Sequence, residues 1–154
     1  MDERFFDELE NRVGATGGDV AEAYVIGHEV GHHIQTLMGI SSQVRKLKTQ
    51  KPSLANELSI RQELQADCFA GLWANSIRGA DVFDNGEIRE AVDAAAAVGD
   101  DRIQEKTQGR IHPESWTHGA SEDRVNWFNV GYEFGEFNKC DTFKKKTNPK
   151  IQGI

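Results

Sequence analysis

Apolar positions along the chain recur mostly at helical spacing, and the stop signals between them mark four helices. Tyr24, Val30, Ile34, Leu37 and Met38 supply much of the apolar side of the first. Gly17-Gly18-Asp19 followed by Glu22 predicts its start, because Asp19 can cap the helix while Glu22 reaches back to it. Gly39 predicts its end. A basic, polar stretch follows, SSQVRKLKTQKPS, in which Pro52 breaks any helix. The second helix is expected from about Leu54 to Arg78, stopping at Gly79, with Leu58, Leu64, Phe69, Leu72, Trp73 and Ile77 on its buried surface. The third is expected from Asp84, partnered by Glu87, to Val98 before Gly99. The fourth opens with Ser121 as cap, has Glu122 and Asp123 in its favourable first turn, and continues through Val125, Phe128, Tyr132 and Phe137. Strand signals are almost absent, so the expected fold is mainly α. Between the last two helices, DDRIQEKTQGRIHPESWTHG reads as an ordered but irregular connection, of a length that is unusual unless it serves a function.

Composition adds limits. The 154 residues are 38% hydrophobic and 28% charged, as in one soluble globular domain. A formal net charge of -7 argues against nucleic acid or an anionic membrane as a main partner. Residues 144–154 begin with three lysines and read as a solvated basic tail, leaving 1–143 as the domain. No apolar run is long enough for a membrane span, and no signal peptide is evident. Cys68 and Cys140 form either a disulfide or two buried thiols, and spacing does not choose between them.

The chemistry concentrates in AYVIGHEVGHHIQTLMG. His28 and His32 are spaced i, i+4 on one helix, which puts both imidazoles on one face where they can share a zinc ion. Glu29, beside the first, is placed to take a proton from water at the metal. His33 points away from that face and reads as a packing or surface histidine. Two histidines do not hold a catalytic zinc. A third histidine six residues beyond His32 is one known solution, but position 38 is methionine. RQELQADCFAGLWA offers another: Glu63 and Asp67, again i, i+4, lie among residues that look buried. Glu63 is then the third ligand, and Asp67 accepts the free N–H of a ligating histidine. A solvated acidic edge is the plainer alternative.

HExxH on one helix with ExxxD on a later one resembles the gluzincin metallopeptidases. AYVIGHEVGHHIQTLMG, RQELQADCFAGLWA, VGDDRIQ and THGASEDRVNWFNVGYEFG together resemble, more narrowly, the bacterial putative neutral zinc metallopeptidase family. That resemblance implies a zincin-like helical core, one zinc held by His28, His32 and Glu63, Glu29 as base, Asp67 behind the ligands, and a peptide or protein substrate. Members usually carry an upstream membrane anchor and strands before the first catalytic helix. With MDERFFDELE as its start, this chain is expected to lack both, and membrane contact is expected only through such an anchor. A membrane-anchored or extracytoplasmic place in a bacterium is also implied. In such a compartment Cys68 and Cys140 can pair, tying the second helix to the end of the fourth. A further resemblance, to the membrane-embedded CaaX-type zinc proteases, implies that His118 in SWTHGASEDR donates to the oxyanion and that Arg124 braces the acids. A loop histidine capping a turn and an arginine on a solvated helix are the alternatives, and His112 before Pro113 reads as a turn residue. Asp100 and Asp101 read as local structure, with a calcium site as the alternative.

Two competing readings remain. Peptide deformylases pair HExxH with a cysteine ligand, which Cys68 would have to supply. A zinc-stabilised domain that binds peptides or partners without cutting them would need no base at all.

Overall fold

The structure is a computed structural model, and it describes residues 19–79 and 85–144. Six α-helices are present among them: α1 (Asp19–Leu37), α2 (Ile40–Gln50), α3 (Ala55–Ser76), α4 (Asn85–Ala97), α5 (Asp100–Gln108) and α6 (Ser121–Phe134). Short 3₁₀ turns occupy Pro52–Leu54, Pro113–Ser115 and Phe137–Cys140. No strand occurs among the described residues. None of their helices is long and apolar enough to cross a membrane. The segment before α1, the cap pairs Asp19–Glu22 and Asp84–Glu87, and the tail beyond Lys144 lie wholly or partly outside the described residues.

α3 is the central element. Every residue from Leu64 to Gly71 is buried, so its middle two turns are enclosed on all sides. α6 packs most extensively against it, and α1 next. Small residues set both distances. A Cβ on Gly131 would run into the Cys68 carbonyl, and one on Gly71 into the Phe128 carbonyl, so α3 and α6 meet backbone to backbone. α1 crosses α3 with Gly31 against the Ala66 backbone, where a Cβ would stand 2.9 Å from the Ala66 oxygen. One apolar core joins Val20, Tyr24, Val25, Ala70, Phe128 and Tyr132 with the alanines of α4. A second gathers Leu64, Cys68, Phe69, Trp127 and Cys140. The sulfurs of Cys68 and Cys140 lie 2.00 Å apart, as a disulfide.

The structure departs from the sequence reading in several places. Val30, Leu37 and Met38 are about half to three-quarters exposed. α1 buries Tyr24 as expected, but with Val20, Ala21, His28, Gly31 and Gln35 beside it, because its polar chemistry faces inward. Trp73 on α3 is 42% exposed. The polar stretch after Gly39 is helix α2, anchored by the buried Val44. Gly39 (φ 75°) both ends α1 and caps α2, a left-handed backbone that lets the chain turn sharply between helices. The connection expected to be irregular holds α5, with Asp100 and Asp101 in its first turn and Gly109 in the left-handed conformation at its end. Ser121 is the first residue of α6 rather than its cap. Ala120 precedes it in extended conformation, and the Ser121 N–H is instead accepted by the Asp101 carboxylate at 2.8 Å. α6 stops at Phe134, so Phe137 lies beyond it, stacked on Phe69 with ring centroids 4.9 Å apart.

Candidate metal centre

The α1–α3 crossing brings His28 and His32 opposite Glu63. His28 Nε2 is 3.2 Å from Glu63 Oε2, and His32 Nε2 is 3.4 Å from Glu63 Oε1. One ligand atom from each of the three lies within 4.8 Å of the others. Two imidazole nitrogens and one carboxylate oxygen form a donor set suited to zinc, with a fourth position left for water or substrate. No other such group of three occurs among the described residues.

Both histidines are held from behind, through Nδ1, which turns each Nε2 toward Glu63. His28 Nδ1 donates to Asp67 Oδ1 at 2.8 Å. His32 Nδ1 faces Gln35 Oε1 at 2.9 Å. Asp67 is completely buried and accepts from three residues: His28, the Tyr24 hydroxyl at 2.5 Å, and Arg124 through Nε (2.8 Å) and Nη2 (2.9 Å). Arg124 Nη1 donates to the Val98 carbonyl at 3.1 Å. Arg124 Nη2 is also 3.3 Å from His28 Nδ1, but two N–H groups do not bond once Asp67 has taken the Nδ1 hydrogen.

Electrostatics follow from these contacts. Burial works against the charge on Asp67, but Arg124 and His28 outweigh it and hold the carboxyl well below its ordinary range. Burial likewise opposes charge on Arg124, and Asp67 overcomes it, so the guanidinium binds its proton more tightly than usual. Burial drives the Tyr24 hydroxyl well above its ordinary value, so it remains a donor. Burial pulls His28 down, but Asp67, with help from the hydrogen bond to Glu63, pushes it up to about 9 without a metal. Burial also lowers His32, and its bond and charge interaction with Glu63 raise it overall. Glu63, although desolvated, is held below the carboxylate range by the hydrogen bonds of both histidines. A divalent cation that takes the place of the two Nε2 hydrogens meets the same three groups already converged.

A cavity of ≈ 290 Å³ opens on this centre, lined among others by His28, His32, Glu63, Glu29, His118 and Arg124. Glu29 is exposed on α1 at its edge. His118 comes from the loop before α6. Its Nδ1 is 3.1 Å from Asp100 Oδ1, while Asp100 Oδ2 accepts the backbone N–H groups of Thr117, His118 and Gly119 at 2.7, 2.6 and 3.0 Å. Those N–H groups fill the Asp100 oxygens with donors, which argues against calcium there. His33 is exposed on α1, and His112 pairs with Glu114 at a turn. Cys68 is buried in the disulfide, which removes it as a metal ligand and with it the deformylase reading.

Tyr24, Gln35 and Gln65 belong to this centre and were not among the expected residues. The available signal was spacing: Tyr24 is four residues before His28, and Gln35 three after His32, so both pairs share faces of α1.

Comparison with known proteins adds an independent finding. The family described as "Putative neutral zinc metallopeptidase" matches residues 1–143. The chain is 47% identical over 146 residues to the Escherichia coli K12 "Uncharacterized protein YpfJ", covering 94% of this chain and 50% of that protein. It is 43% identical over 153 residues to the Mycobacterium tuberculosis H37Rv "Uncharacterized protein Rv2575", covering 93% of this chain and 51% of that protein. The chain thus spans about half the length of the curated relatives it matches. No solved structure matches it.

Proposed function

Because the chain belongs to the putative neutral zinc metallopeptidase family, with a mainly α, zincin-like core, we propose that it is a gluzincin-type zinc-dependent peptidase. The observation that carries this reading is the convergence of His28 Nε2, His32 Nε2 and a Glu63 oxygen at the floor of a cavity that Glu29 also lines.

His28, His32 and Glu63 would hold the zinc. Bound there, zinc supplies Lewis-acid chemistry, polarising a peptide carbonyl and acidifying water. Asp67 and Gln35 orient the two imidazoles. Glu29 is the general base: its carboxylate removes a proton from the attacking water and returns it to the leaving amine. His118 is the group best placed to donate to the oxyanion from Nε2. Asp100 positions the ring by holding Nδ1, which leaves Nε2 as the ring nitrogen free to face substrate. The buried Cys68–Cys140 disulfide supports an extracytoplasmic location, since such bonds persist in oxidising compartments.

The test is Glu29→Gln assayed against the wild type on an unstructured protein substrate, with zinc measured in both. Peptidase reading: the variant keeps its zinc and loses cleavage by a factor of about 10²–10⁴. Equal behaviour of two zinc-loaded proteins would instead identify a zinc-stabilised domain that binds without cutting.

A further inference from the structure

The hydrogen bonds behind His32 have a direction that can be read from their ends. Gln35 is 0% exposed, and its amide has three partners. Its Nε2 donates to the Gln62 backbone carbonyl at 2.8 Å and to Gln65 Oε1 at 3.1 Å. Gln65, also buried, donates from its own Nε2 to the Cys140 backbone carbonyl at 2.9 Å. Backbone carbonyls only accept. Turning either amide over would press oxygen against oxygen inside the protein and leave buried donors without acceptors. Both amides are therefore locked with their NH₂ groups away from the histidine. What remains to face His32 Nδ1 is an acceptor, Gln35 Oε1. His32 must therefore keep a ring hydrogen on Nδ1, so that the hydrogen a metal would replace is the one on Nε2 that faces Glu63.

We propose that Gln35 and Gln65 are positioning residues for His32. They form a one-way amide relay, anchored on the Cys140 carbonyl, that fixes the Nδ1–H tautomer and ring orientation of His32 and so sets the zinc affinity of the centre. This rests on the reading above that His32 is a ligand. The relay has a second consequence, because Cys140 is bonded to Cys68, one turn beyond Gln65 on α3. The disulfide fixes the segment that supplies the terminal carbonyl, so the crosslink and the metal centre are coupled through two side chains.

Gln35→Met and Gln65→Met keep the approximate shape while removing every donor and acceptor. Two measurements on the full chain decide the matter. In metal-free protein at one fixed pH near neutral, ¹H–¹⁵N NMR reads the His32 Nδ1–H itself. The wild type is expected to show a slowly exchanging Nδ1–H, and both variants to lose that protected signal. Zinc affinity, measured by chelator competition, is expected to fall roughly 10–100-fold in Gln35→Met and about tenfold in Gln65→Met. Removing the disulfide with Cys68→Ala/Cys140→Ala should weaken zinc binding in the wild-type background and add little in Gln65→Met. If that protein is unfolded by circular dichroism, the glutamine variants with the disulfide intact still decide. Retention of both the Nδ1–H signal and wild-type zinc affinity in the two variants would overturn the proposal. A wild type that binds no zinc would defeat the metal reading, while the protected Nδ1–H signal would still judge the relay.

Discussion

Arg124 grips Asp67 at two points, with Nε 2.8 Å from Oδ2 and Nη2 2.9 Å from Oδ1, and neither side chain is more than 4% exposed. An ion pair this deep is weak evidence for stability, since desolvating both charges offsets much of their attraction. Breaking it from one side is another matter. Arg124→Met leaves a carboxylate enclosed in the core, and a loss of about 3–5 kcal/mol in urea unfolding is expected. Adding Asp67→Asn should restore a substantial part of that loss. Two losses that simply add would show that the residues do not act as a pair.

The pH dependence of the metal-free protein has a definite sign. His28 and His32 are raised above the ordinary value of 6.5, His28 to about 9. Their contribution is fully present below about pH 6.5 and is lost as pH rises through 9. Glu63 and Asp67 are lowered from 4.5 and 3.8, so theirs is present above those values and lost as pH falls further. Thermal melts in chelator should therefore peak between about pH 5 and 6.5. Zinc should move the optimum upward, because binding requires the histidines to give up Nε2 protons. Metal-free stability that climbs steadily from pH 6.5 to 9 would contradict the charge states described.

Gly131→Ala probes the contact between α3 and α6. The new methyl meets the Cys68 carbonyl and the Leu72 amide nitrogen, both backbone atoms that cannot turn aside. A loss of about 1–3 kcal/mol is expected in denaturant unfolding, although alanine is the better helix former. A stabilised Gly131→Ala protein would mean that the helices lie further apart.

The disulfide joins residues 72 apart in sequence. Cys68→Ala/Cys140→Ala should lower stability by about 2–5 kcal/mol, chiefly by freeing the unfolded chain. Thiol titration of the denatured, unreduced wild type should find no free thiol. Two would show that the bond does not form.

Much of the site was legible because helical spacing converts directly into a shared face. His28 with His32 and Glu63 with Asp67 needed only that rule and the absence of a histidine at position 38. The support behind them was harder to read. Hydrophobicity found Tyr24 but also drew attention to Val30, Leu37 and Met38, whereas the inward stripe of α1 continues through His28, Gly31 and Gln35. A helix built around a polar centre inverts the usual guide to its buried side. α2 escaped notice because one buried residue, Val44, anchors it amid charge. The contact of Arg124 with Asp67 depends on the depth of the glycine-mediated approach of α6 to α3, which no local spacing reveals.

Asp67 draws its hydrogen-bond donors from Tyr24, His28 and Arg124, the last separated from Tyr24 by 100 residues. During synthesis the two histidines and both acids emerge long before the arginine that neutralises the innermost charge. A nascent chain can gather the zinc ligands, but it cannot seal its interior until α6 has been made. Shortening the protein before Ser121 should therefore yield an open chain with collapsed amide NMR dispersion, not a smaller working unit. The arrival of α6 closes the packing around α3 and supplies the partner of Asp67 in the same event.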